Sequence, residues 1–74
     1  METKKYIVSL NRLGRRENRQ EEMETVLRNT ARVTIVEGSG FNAITVMMPE
    51  VLVEPLQAVM PYAVIDKHKT LELL

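Results

Sequence analysis

Apolar positions fall along this chain in short clusters whose spacing changes from strand-like to helix-like and back. Lys4–Leu10 (KKYIVSL) is short, rich in β-branched and aromatic residues, and predicts a strand. A polar stretch from Asn11 to Gln20 leads into EEMETVLRN. There Met23, Val26 and Leu27, with Thr30 beyond them, fall on one helical face. Glu24 and Arg28 stand at the i,i+4 spacing that supports a helix. Together these predict a helix from about Arg15 to Asn29, although Arg15, Arg16 and Arg19 oppose the helix dipole at its start. Ala31–Glu37 (ARVTIVE) alternates as a strand does, Gly38–Gly40 is a turn, and Phe41–Met48 (FNAITVMM) predicts the second arm of a hairpin. Between Pro49 and Pro61, PEVLVEPLQAVMP predicts a short helix. Pro55 cannot sit deep inside it, because proline lacks the backbone N–H and crowds the preceding turn. The helix therefore kinks there or begins late. Tyr62–His68 (YAVIDKH) predicts a last strand, and Lys69–Leu74 (KTLELL) is left as an extended tail.

The order strand, helix, strand, strand, helix, strand is the split βαβ pattern of a ferredoxin-like sandwich. The expected class is α+β, a single domain over residues 1–74, with two helices on one face of a four-stranded antiparallel sheet. The other face should then be bare. In the strand after the turn, Phe41, Ala43, Thr45 and Met47 point one way, and Asn42, Ile44, Val46 and Met48 the other. Both sets are largely apolar, whereas a half-solvated sheet should alternate apolar with polar. A second burial partner follows as an expectation, either another protein or another copy of this chain.

Composition narrows the options. At 74 residues the chain buries only about 60% of the surface its unfolded form exposes, so stability should be modest. Hydrophobic residues at 45% argue against wholesale disorder. Without cysteine there is neither a disulfide framework nor a thiolate metal site. Ten basic and ten acidic side chains cancel, which argues against a general nucleic-acid or anionic-membrane binder. No apolar run approaches the roughly 20 residues that cross a bilayer, and Met1 to Lys5 carry no apolar signal core. If Met1 is the native start, a cytoplasmic location is expected.

With this order in hand, the chain resembles the subtilisin propeptide family, the inhibitor-like prodomains of subtilases and their free-standing relatives. KKYIV resembles the family's opening strand, and GFNAITVMM the motif opening its third. PEVLVEPLQAVMPYAVIDKHKTLELL resembles its second helix, last strand and extended tail without a gap. The resemblance covers nearly the whole chain, though no single motif in it is specific. It implies an inhibitor of a subtilisin-like serine protease, or an excised prodomain and folding chaperone, in which case the location is extracellular. The sheet would lie on two protease helices and supply most of the buried area, and the tail would run through the substrate cleft. Leu71, Glu72, Leu73 and Leu74 would then be protease-binding, with Leu74 in the main specificity pocket and Leu71 in a second apolar one. The resemblance also implies that Asp66 caps a protease helix, where a carboxylate accepts orphan N–H groups and favours the positive dipole end. The second such position falls on His68, a departure from the family's acidic pattern that weakens binding or makes it pH-dependent.

Other readings have less behind them. Arg12, Arg15, Arg16 and Arg19 could touch nucleic acid, but base stacking on a sheet needs exposed aromatics, and only Tyr6, Phe41 and Tyr62 exist. A solvated helix face explains the arginines more simply. Neither Ser9 nor Ser39 joins His68 and an orienting acid in a recognisable catalytic order, so no enzyme is expected. No metal-ligand cluster or phosphate loop occurs, and no cofactor is implied. Asn42 has an ordinary use as an amide beside the hairpin. The main alternative is a homo-oligomeric ferredoxin-like regulatory module, which pairs copies through the bare face and binds a small ligand between them.

Overall fold

In the computed structural model, residues 2–38 and 42–67 are described. Strand β1 (Thr3–Leu10) is followed by helices α1 (Arg12–Arg16) and α2 (Gln20–Asn29), then by strands β2 (Thr34–Glu37) and β3 (Ala43–Pro49). A 3₁₀ turn (Glu50–Leu52) runs directly into helix α3 (Val53–Val59), and strand β4 (Ala63–Lys67) follows. The strands form one antiparallel sheet in the order β2-β3-β1-β4. This is the expected ferredoxin-like α+β arrangement.

Alternation along the two central strands builds the core. Tyr6, Val8 and Leu10 of β1 and Ile44, Val46 and Met48 of β3 are buried together with Met23 and Leu27 of α2 and Leu56 of α3. In α2, Met23 and Leu27 stand one turn apart, so a single stripe of the helix meets the sheet. Leu27→Ala would leave a cavity there at a cost of about 2–5 kcal/mol.

The expected helix over residues 15–29 is instead two helices, and the break has a local cause. Asn18 takes a left-handed conformation (φ 54°). Around it the Arg19 N–H bonds the Gly14 carbonyl and the Asn18 N–H bonds the Arg15 carbonyl, at 3.0 and 3.2 Å. This is a Schellman motif, with asparagine in the position that glycine usually takes. Arg15 and Arg16 therefore lie in the last turn of α1, where the dipole favours them, rather than at the start of a long helix. Arg19 heads α2 and pairs with Glu22 through two hydrogen bonds of 3.2 and 2.7 Å. Its guanidinium also lies 4.3 Å over the Tyr62 ring, which ties α2 to the turn before β4.

Three other boundaries move for similar reasons. β2 begins at Thr34 rather than Ala31, because the chain turns through Arg32 (φ 72°) and the Val33 N–H bonds Thr30. β3 starts at Ala43 and runs on to Pro49. The second helix begins late: Pro55 is its third residue, where a missing N–H costs nothing. Pro61 heads the tight turn that the Ala63 N–H closes onto the Met60 carbonyl at 3.1 Å.

One contact limits how the layers close. Asn11 caps α1 by accepting from the Gly14 N–H at 2.9 Å, and its own amide donates to the Pro61 carbonyl at 2.9 Å. That draws α1 so near the start of β4 that a Cβ on Gly14 would stand 2.3 Å from the Tyr62 carbonyl oxygen. Alanine is normally the better helix residue by about 1 kcal/mol. Here Gly14→Ala should instead destabilise the protein by about 1–3 kcal/mol in chemical denaturation, and unchanged or greater stability would refute the close approach.

Tyr62 is 1% exposed. Burial pushes its hydroxyl above the usual phenol range, the nearby Glu22 carboxylate adds to this, and Arg19 opposes it. The folded state thus holds this proton more tightly than the unfolded chain does. Its contribution is fully present below about pH 10 and is lost as pH rises through the higher folded value. Tyr62→Phe should flatten the alkaline fall of Tm measured from pH 9 upward. An identical fall in both proteins would show that another group governs it.

Candidate functional site

The sheet face turned away from the helices is assembled from all four strands. Residues alternate with the buried set, so β1 contributes Lys5, Ile7 and Ser9, and β3 contributes Ala43, Thr45 and Met47. β4 adds Val64 and Asp66, both exposed. Cross-strand pairing orders them in rows. Met47 lies between Lys5 and Thr34, Thr45 between Ile7 and Glu37, and Ser9 between Ala43 and Val64. Asp66 closes the middle row beside Ile7, with Glu37 at its other end. Three strand spacings separate these two carboxylates by roughly 14 Å.

Ile7, Thr45 and Met47 are half-buried at the centre of this face, and Lys5, Thr34, Glu37 and Asp66 lie around them. An apolar centre with a polar rim is the usual anatomy of a protein-binding patch. The face is less greasy than β3 alone suggests, because β1 supplies Lys5 and Ser9 and β4 supplies Asp66. Those contributions were readable from the alternation of KKYIVSL and YAVIDKH once the register of the strands is known, and register is what a single sequence does not give.

Of the expected protease-binding residues, Asp66 is the one the structure describes. It is exposed in β4, at the sheet's edge. His68, Leu71, Glu72, Leu73 and Leu74 lie outside the described residues, as do Ser39, Gly40 and Phe41 of the hairpin turn. Asn42 is exposed, and its carbonyl accepts from the Leu10 N–H at 2.9 Å, a backbone role at the sheet's end. Tyr6 and Tyr62 are 4% and 1% exposed and face the core, so neither offers a stacking surface for bases. Arg12, Arg15 and Arg16 are solvated along α1, and Arg19 is spent on Glu22, Glu17 and Tyr62.

Away from this face, a groove of about 530 Å³ runs between β4 and the start of α3, lined by Tyr6, Val53, Glu54, Ile65 and Lys67 among others. The Tyr6 hydroxyl is buried and has no hydrogen-bond partner among the described residues. Among the described residues no three His, Cys, Asp or Glu side chains converge as metal ligands, and no helix is long and apolar enough to cross a membrane.

The assignment of faces can be checked with two adjacent residues. Met47→Glu places a carboxylate opposite Lys5 and should shift stability by no more than about 0.5 kcal/mol. Val46→Glu buries a charge at a fully enclosed position and should abolish folding. Equal effects in urea denaturation would mean that both faces are covered. Compared with protein-family models, curated proteins and solved structures, the chain finds no match.

Proposed function

We propose that this chain inhibits a subtilisin-like serine protease, docking through its helix-free sheet face and laying its C-terminal residues along the substrate cleft. The observation that carries this reading is the bare face itself. It has a half-buried centre in which Ile7 and Met47 flank Thr45, and an exposed carboxylate, Asp66, on the strand that leads to the tail. The resemblance of KKYIV, GFNAITVMM and the C-terminal segment to subtilase prodomains supplies the kind of partner.

Size supports a two-part contact. The four strands have eight, four, seven and five residues, so the sheet offers roughly 380 Å² in plan. A stable interface buries about 800 Å² on each partner. The face therefore needs help, and six further residues in extended form, Lys69–Leu74, supply a comparable area. Leu71 and Leu74 are three apart, so in an extended chain they point to opposite sides and enter separate apolar pockets. Main-chain hydrogen bonds to the cleft give the affinity, and the two leucines give the selectivity. Asp66 accepts N–H groups at the N-terminus of a protease helix, where its charge meets the positive dipole end. The same contact assists folding of the protease when both are made together.

Titration against subtilisin with a chromogenic substrate tests this directly. Stoichiometric inhibition is expected. Removing Leu71–Leu74 should sharply weaken it while some binding remains, and Asp66→Ala should cost about 1 kcal/mol, roughly fivefold in Kd. A tight dimer in light scattering, with no effect on the protease, would overturn the reading in favour of a homo-oligomeric module.

A further inference from the structure

β4 is an edge strand, yet its outer edge is already occupied. The Gln57 side-chain amide donates to the Ala63 carbonyl at 2.6 Å, and its oxygen accepts from the Ile65 N–H at 3.1 Å. In an antiparallel sheet, backbone groups on alternate residues turn to the same side. The C=O of residue 63 and the N–H of residue 65 are thus an adjoining acceptor and donor on the outer edge, which a further antiparallel strand would engage through two successive peptide groups. The Ala63 N–H is taken as well, by the Met60 carbonyl at 3.1 Å. Only one orientation of the amide satisfies both bonds, since its NH₂ must face the carbonyl and its oxygen the N–H. A third contact, from the same nitrogen to the Met60 carbonyl at 3.2 Å, holds the group in place.

We propose that Gln57 is the gatekeeper of the β4 edge: its amide stands where the backbone of a fifth strand would lie and keeps a second copy of this chain from pairing there. Unguarded strand edges add other strands, and natural proteins cover or blunt them. A second copy fits the uncovered edge. Two β4 strands paired antiparallel about Ile65 set Ala63 opposite Lys67 and Val64 opposite Asp66, so no like charges face each other. They also set Val64 side chains, 39% exposed in the single chain, diagonally across the seam from each other. This inference concerns the edge and not the face, so it stands whether or not the protein binds a protease.

Gln57→Ala removes both bonds while keeping a residue that favours the helix. Sedimentation equilibrium should find its self-association at least about tenfold tighter than that of the unmodified chain. Concentration-dependent NMR shifts should map to Ala63–Lys67. In dilute solution the Ile65 amide should exchange faster in the variant, and protection should return as the concentration rises. Gln57→Met, which keeps the bulk and loses the hydrogen bonds, repeats the test if the smaller side chain unsettles α3. An unchanged association constant in a natively folded variant would overturn the proposal. So would shifts that map to β2, Thr34–Glu37.

Discussion

One layer of side chains, squeezed between four strands and two helices, is what the rest of this molecule depends on. Val8, Ile44, Val46, Met48, Met23, Leu27 and Met60 are fully enclosed there. Everything else either closes that layer or is left over from it. The Asn11 cap and Gly14 let α1 lie directly on the Tyr62 carbonyl, and Arg19 over the Tyr62 ring fixes the start of α2 to the same turn. Among the described residues the core side chains of the central strands all turn toward the helices, so the other face of the sheet meets something other than those helices.

The order of elements could be read from the sequence because it depends on period alone. KKYIVSL and FNAITVMM show β-branched runs, and Met23 and Leu27 show a helical stripe. The internal punctuation could not. Asn18 ends α1 through its left-handed backbone, a role that glycine would have announced and asparagine conceals among other polar residues. Arg32 likewise cuts three residues from the start of β2, with no glycine or proline to mark the turn. Pro55 was a visible conflict, and the 3₁₀ turn before Val53 resolves it by moving the helix start forward.

For the candidate face, β3 was legible residue by residue, since Ala43, Thr45 and Met47 fall opposite the buried Ile44, Val46 and Met48. The rim was not. Lys5, Glu37 and Asp66 join it through strand register and through the bulge between Ile35 and Glu37, and both are set by pairing across the sheet rather than along the chain. Gln57 left no trace in the sequence at all. A glutamine five residues into a short helix is unremarkable until the strand it serves is laid beside it.

The sheet's three uncovered boundaries are treated differently, and the difference bears on how the molecule meets a partner. Gln57 occupies the β4 edge, and β2 is four residues long and interrupted by a bulge, a device that discourages further pairing. Both routes for adding a strand are thus obstructed. Among the described residues nothing obstructs the broad face between them, and Ile7 and Met47 stand at its centre. A surface built for stacking copies edge to edge would have the opposite distribution, with open edges and a charged face. The arrangement favours a partner that lies flat against the sheet, which is the geometry the proposed protease complex requires.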